Sequence, residues 1–153
     1  MNRALRASAR SCVTLDCDDT YSVEFIEPMA RTMLEDGYDL IEGSRLAGKP
    51  EAMPWINYFV NWSFAFIASI AFLHRLRDLH SGMRAYRKTL LDRLRYDVNG
   101  AALPVELLLR PIREGRKVKV ITIPYRPRIG ESTMRPLQSA WWTLKRICRS
   151  RFA

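Results

Sequence analysis

Cys12-Val13-Thr14-Leu15-Asp16-Cys17-Asp18-Asp19 is the stretch on which the reading of this chain turns. A short apolar, partly β-branched run stops at an acid, as a buried strand does at its carboxyl end. In an open α/β sheet, ligands gather outside the carboxyl ends of the strands. Asp16 and Asp18, separated by one residue on such a turn, can reach a single hard cation whose other positions are filled by water and phosphate oxygens. A Mg²⁺ or Mn²⁺ ion held in this way neutralises a diphosphate leaving group. Acidic turns after strands are also common as solvated loops, so the motif acquires meaning only from what surrounds it.

Outward from this strand, helical and extended patterns alternate. Ser22 and Glu24 open a helical stretch to about Asp36, with Phe25, Met29, Met33 and Leu34 on one side and Gly37 beyond its end. Tyr38–Glu42 reads as a second strand, followed by Gly43-Ser44-Arg45. His80–Tyr86 reads as a third strand, Lys88–Leu94 as a short helix and Val105–Arg113 as a longer one. Lys117–Pro124 carries Val118, Val120, Ile121 and Ile123 before a proline and is the clearest strand, and Leu137–Ile147 is a final helix. Alternating elements of this kind imply an α/β fold with an open, mostly parallel sheet flanked by helices. No repeat or internal linker interrupts residues 1–153, which are expected to form a single domain or part of one.

The charge is divided along the chain. Residues 1–54 carry net −4, residues 55–73 carry none, and residues 74–153 carry net +13. The second half therefore suits an anionic partner: a phosphate, a lipid surface or nucleic acid. The basic residues are spread over loops without a recognised nucleic-acid motif, so no nucleic-acid role is expected. Three cysteines give no disulfide framework and suit a reducing compartment. Cys12 and Cys17 lack a nearby His partner, which argues against zinc. Arg3, Arg6 and Arg10 mimic a transit peptide. A basic helix over Ala4–Ala9 leading into the first strand is the preferred reading, on a cytosol-facing protein.

Trp55–Leu73 runs 19 residues without a charge, long enough to span a membrane. Asn57, Asn61, Ser63 and Ser69 interrupt it, and a span between strands of one sheet makes little sense. A buried core helix and a helix resting at a membrane interface are the two leading readings, with a span kept as the third. The final helix, within a basic amphipathic segment 136–153, lines up Leu137, Ala140, Trp141, Leu144 and Ile147 with Lys145, Arg146 and Arg149 off the stripe. It is read either as a membrane-surface helix or as a cover for the sheet with a solvated basic face.

Two further loops follow strands. In Gly43-Ser44-Arg45 the small residues permit close backbone approach and Arg45 can fork onto phosphate oxygens. Arg126-Pro127-Arg128-Ile129-Gly130-Glu131-Ser132 follows the strongest strand. Taken in order, the strand with Asp16-x-Asp18, Tyr38-Asp39-Leu40-Ile41-Glu42-Gly43-Ser44-Arg45, Asp78-Leu79-His80-Ser81-Gly82-Met83-Arg84-Ala85-Tyr86, Glu106-Leu107-Leu108, Ile123-Pro124-Tyr125 and Arg128-x-Gly130-Glu131-Ser132 resemble the family 2 glycosyltransferases. The likeness is to the polyprenyl-phosphate branch typified by dolichol-phosphate mannose synthase, and it runs from about Ala4 to Leu137.

The resemblance implies a partial GT-A (nucleotide-diphospho-sugar transferase) fold and inverting transfer of a sugar from a nucleotide-sugar donor to a lipid-phosphate acceptor. Carried over, Asp16 and Asp18 bind the metal and the donor diphosphate. Asp18, Arg45 and Arg128 form the catalytic set. Ser44, Asp78, Ser81, Arg84, Glu106 and Ser132 join Asp16 in substrate binding. A phosphate acceptor is already ionised at neutral pH, so alignment and charge neutralisation matter more than a general base, and His74 and His80 are expected to be structural.

Two departures stand out. Thr20 replaces the Gln that some relatives carry. The Pro-x-x-Asn-Glu strand and the Asp-Asp-x-Ser strand that recognise base and ribose do not occur, which reads as the loss of the first third of the domain. The expected location is peripheral, at the cytoplasmic face of a membrane, with self-association through the uncovered sheet. The alternative function is a catalytically inactive remnant that binds only metal or membrane surface.

Overall fold

The computed structural model describes residues 10–16, 19–47, 49–51, 53–97, 99, 101–127 and 136–152. The order of elements is β1 (Ser11–Thr14), a 3₁₀ turn (Val23–Phe25), α1 (Ile26–Glu35), β2 (Leu40–Ser44), α2 (Trp55–Phe72), β3 (Arg84–Arg87), the one-turn α3 (Lys88–Leu91), α4 (Leu103–Arg113), β4 (Val118–Thr122) and α5 (Pro136–Phe152). The helix read over Ala4–Ala9 lies outside the described residues.

The strands form one sheet in the order β1-β3-β2-β4. The sheet is open, as expected, with β1, β2 and β4 running in one direction and β3 alone against them. β2 and β4 pair in parallel, with Ile41 opposite Lys119 and Gly43 opposite Ile121. Strand β3 is antiparallel to both β1 and β2. The cause is the excursion between β2 and β3. The chain leaves the carboxyl end of β2, passes through α2, and re-enters at that same end, where the Gly43 N–H donates to the Met83 carbonyl over 3.0 Å. Periodicity reports which faces a strand buries and carries no information on its direction. The expected strand His80–Tyr86 is correspondingly shorter at its start, because residues 80–83 form the loop that makes this re-entry.

Alternation along the strands divides the core into two layers. Leu40 and Tyr86 join Phe64, Ala68, Leu79, Val105, Leu108 and Ile147 on one face. Their neighbours Ile41 and Ala85 join Tyr21, Met29, Met33, Met83 and Ile123 on the other. Met29 and Met33, one helical turn apart, are fully buried, each stabilising the fold by about 1.5–3 kcal/mol relative to exposure. α1 ends in a Schellman arrangement: Gly37 takes φ +73° and the Tyr38 N–H donates to the Met33 carbonyl over 3.1 Å.

Two helices depart from their sequence readings. α2 buries only Phe64, Ala65 and Ala68, so the buried-core reading fails; Trp55 is 71% exposed and Ile70 62%. In α5 the inward face is Thr143, Arg146, Ile147 and Ser150, while Leu137 is 89% and Trp141 67% exposed. The apolar stripe read from the sequence is therefore split. Ile147 enters the core and Leu137, Trp141 and Leu144 face outward. Arg146, expected on a solvated basic face, is buried against Glu106, because a carboxylate on the inward side of α4 requires a cation.

Candidate active site

The carboxyl ends of β1, β2 and β4 and the amino end of β3 meet at one edge of the sheet. Asp16 follows β1 with its side chain exposed. It lies against Gly82, where an added Cβ would fall 2.3 Å from the Asp16 Oδ2. Glycine at that position is what admits the carboxylate. The Gly82 N–H donates to the Tyr21 hydroxyl over 2.6 Å, which ties the 80–83 loop to the segment following the acidic turn.

Arg45, the first residue beyond β2, is the centre of the site. Its Nε and Nη2 donate to Asp78 Oδ2 and Oδ1 over 2.8 and 2.9 Å, and its backbone N–H donates to Oδ2 over 3.2 Å. Asp78 also accepts from the His80 N–H over 3.2 Å. The guanidinium carbon stands 5.7 Å from the Tyr21 ring centroid and 5.6 Å from that of Tyr125, within cation–π range of both. Burial works against ionising Asp78, but the charge and hydrogen bonds of Arg45 outweigh it and hold the carboxyl below its usual range. Burial likewise opposes the charge on Arg45, and Asp78 overcomes it and raises the pKa. The result is a permanent cation in fixed orientation. It opens on a cavity of about 470 Å³ whose lining includes Lys49, Glu51, Ile123, Tyr125 and Pro127.

The supporting residues are packed tightly. The Ser81 hydroxyl donates to the Gly43 carbonyl. The Ser44 hydroxyl accepts from the Leu46 N–H over 3.3 Å. A Cβ on Gly43 would meet Ile123 Cδ1 at 2.8 Å, so glycine there allows β4 to approach. Arg84 is buried and donates to the carbonyls of Pro104 and Leu79. Its Nη2 lies 3.7 Å from Glu42 Oε1, an ion pair too long to be a hydrogen bond. Glu42 is fully buried with neither oxygen hydrogen-bonded among the described residues. Burial pushes its carboxyl up to about 8 against the attraction of Arg84. Burial also pushes His80 down to about 4; its ring contacts Thr143 Oγ1 at 2.9 Å and packs edge-on to Phe64.

Of the residues singled out in the sequence, the structure brings Asp16, Ser44, Arg45, Asp78 and Ser81 to this edge. Arg84 and Glu106 are fully buried and committed to protein partners, Glu106 to Arg110 over 2.5 Å and to Arg146. Asp18, Arg128 and Ser132 lie outside the described residues. Tyr21 and Lys49 carried no signal in the sequence beyond adjacency to a motif, and Glu42 and Gly82 stood inside quoted motifs without an assigned role. Tyr125 stood in one without an assigned role.

Comparison with known proteins supplies an independent reading. The profile of the family described as "Glycosyl transferase family 2" matches residues 1–95. A dolichyl-phosphate hexose transferase of Haloferax volcanii is 40% identical over 124 residues, 81% of this chain and 54% of that protein. An uncharacterized protein of Methanocaldococcus jannaschii is 26% identical over 124 residues, 78% of this chain and 51% of that protein. The chain thus spans about half the length of the curated relatives it matches. Among solved structures, glucosyl-3-phosphoglycerate synthase from Mycobacterium tuberculosis in complex with Mn²⁺, uridine diphosphate and phosphoglyceric acid superposes with a TM-score of 0.72 at 15% identity. It covers 98% of this chain and 52% of that one.

Proposed function

The chain belongs to glycosyl transferase family 2, and from that membership we propose that it transfers a hexose, with inversion, from a nucleotide-sugar donor to a polyprenyl or dolichyl phosphate. Its fold is the GT-A type that the sequence resemblance implied. The observation that carries the proposal is Arg45, pinned by Asp78 between Tyr21 and Tyr125 over a cavity. A half-buried, oriented guanidinium stabilises charge developing on phosphate oxygens without reorganising during the reaction.

The acceptor phosphate arrives ionised, so no general base is needed, and His80, neutral and half-buried, is unsuited to the task. Arg45 aligns and neutralises phosphate oxygens; Asp78 keeps it aligned and is a positioning residue. Arg128 and Ser132 are assigned to the acceptor phosphate. Ser44 and Ser81, assigned to the substrate side, are buried and brace the Gly43–Leu46 turn that carries Arg45. Arg84 holds the Leu79 carbonyl from within the core, and Glu106 is engaged by Arg110 and Arg146. The residues suit a divalent cation: Asp16 presents an exposed carboxylate over the space left by Gly82, and Asp18 is its assigned partner. A pair of carboxylates on a turn of this kind leaves the remaining positions to water and phosphate oxygens. Mg²⁺ or Mn²⁺ bound there supplies charge neutralisation for the departing nucleoside diphosphate. Residues 1–153 act in this reading as one catalytic-domain unit, seated peripherally on the cytoplasmic face of a membrane through the exposed faces of α2 and α5.

The test is a panel of labelled nucleotide hexoses incubated with polyprenyl phosphate in detergent. A solvent-extractable hexosyl lipid is expected, falling roughly 10²–10³-fold with Arg45→Ala, the scale of removing one oriented charge-stabilising donor. Absence of lipid product from every donor favours the inactive-remnant reading. Product undiminished by Arg45→Ala removes that residue from the reaction.

A further inference from the structure

A second cavity, of about 390 Å³, lies between α2 and the turn at residues 75–77. Its lining combines Tyr58, Trp62 and Phe66 of α2 with Arg75 and Arg77, and its size is in the range of built ligand sites. The turn is anchored. Leu76 is buried, and its N–H donates to Ser69 Oγ on α2 over 2.9 Å, while its carbonyl accepts from the same hydroxyl over 3.3 Å. With Leu76 fixed inward, Arg75 and Arg77 flank it at the rim. Among the described residues neither forms an ion pair or hydrogen bond, and the adjacent carboxylate, Asp78, is taken by Arg45.

The aromatic wall is a ladder. The Trp62 ring stacks on Phe66 at 5.5 Å and 11°, and on Phe59 at 6.1 Å and 28°. All three rings stay exposed on a helix that is long and apolar enough to cross a membrane, with 11% of it buried. Two uncommitted guanidiniums call for an anion. A free phosphate leaves the ladder unused; a phosphate-headed amphiphile uses both halves of the cavity.

We propose that this cavity holds the headgroup of an anionic bilayer phospholipid, its phosphate between Arg75 and Arg77 and its chain along Trp62 and Phe66. The lipid is an anchor beside the active site and is not consumed there. The inference rests on the membrane location given above, and it adds a stoichiometric site to what would otherwise be diffuse attraction.

The probe is monomeric dihexanoyl-phosphatidylglycerol, titrated below its micelle concentration with tryptophan fluorescence as the readout. A saturable change is expected, with the Arg75→Gln/Arg77→Gln double variant at least about tenfold weaker, consistent with the attraction of two cations to an anionic lipid. Dihexanoyl-phosphatidylcholine and inorganic phosphate should bind comparably weakly. Trp62→Ala should weaken binding without changing charge, and the melting temperature of the double variant should be unaltered because neither arginine has a protein partner to lose. Equal binding by wild type and double variant overturns the site. So does inorganic phosphate matching the lipid, or saturation by polyprenyl phosphate alone. A parallel flotation with phosphatidylcholine–phosphatidylglycerol vesicles separates the two readings. No vesicle binding by the wild type overturns the membrane location, whereas vesicle binding equal in both proteins leaves that location standing and removes only the cavity's part in it.

Discussion

Gly82 shows how a residue without a side chain governs one with charge. The Asp16 carboxylate occupies the volume a Cβ would fill, so Gly82→Ala should displace it and weaken Mn²⁺ binding by ~10–100-fold, the usual cost of disturbing a metal ligand's support. Mn²⁺ should raise the melting temperature by binding the folded state alone, and Asp18→Asn should abolish that rise with little change in the metal-free protein. An equal metal response in all three proteins would remove the pair from metal binding. Glu42 offers a test with a defined sign. Its pKa is raised from 4.5 to about 8, so within that window the folded protein holds a proton the unfolded chain has released, and stability falls as pH rises. Asp78, shifted downward, contributes stability that is lost only in acid. His80, shifted from 6.5 to about 4, contributes stability that grows with pH across that lower range. Glu42→Gln removes only the first effect. Its advantage in melting temperature over wild type should therefore widen from pH 5 to pH 8; a constant difference would mean that Glu42 is ionised throughout.

Among the elements, α5 is held by a polar contact that its own sequence pattern conceals. Arg146 donates to the carbonyls of Asp97, Asn99 and Ala101 and pairs with Glu106 of α4. One side chain thus closes the 97–101 loop and joins two helices. Removing Arg146 leaves buried Glu106 with Arg110 alone and strips three carbonyls of their donor, so Arg146→Ala should cost about 3–5 kcal/mol in urea unfolding. Combining Arg146→Met with Glu106→Gln should restore part of it, since no buried carboxylate is then left one cation short and the methionine refills the space. Strand β3 matters for a different reason. Because it runs against its neighbours, the loop that precedes it, and with it Asp78, Ser81 and Gly82, arrives at the carboxyl ends of β1 and β2, where Asp16 and Arg45 wait.

At the scale of the molecule, the exposed faces of α2 and α5 make an apolar surface uncommon in a soluble protein, bearing Trp55, Phe59, Ile70, Leu137 and Trp141. The two helices touch one another. The protein should float with anionic vesicles at low salt and be released by high salt or by carbonate, since the charge component of the attraction is screened. α2 cannot cross a bilayer while Phe64, Ala65 and Ala68 stay in the core beside Leu40 and Tyr86. Resistance to carbonate would mean that it leaves that core and inserts.

Local chemistry made much of this legible from the sequence. The strands around Val13, Ile41 and Val120 follow from β-branched runs ended by acid, glycine or proline. α1 follows from Met29 and Met33 at helical spacing and Gly37 at the end. The candidate ligand-bearing turns at Asp16, Arg45 and Arg126 follow from their place after strands. What the tertiary structure decided is everything that depends on partners distant along the chain. The direction of β3 is set by where the chain re-enters the sheet. The inward face of α5 is set by a carboxylate 40 residues away, and the commitment of Arg45 to Asp78 by an ion pair across 33. Hydrophobic periodicity records how strongly each residue avoids water. A buried charge is placed instead by the one opposite charge that can reach it, and that partner is chosen by the fold.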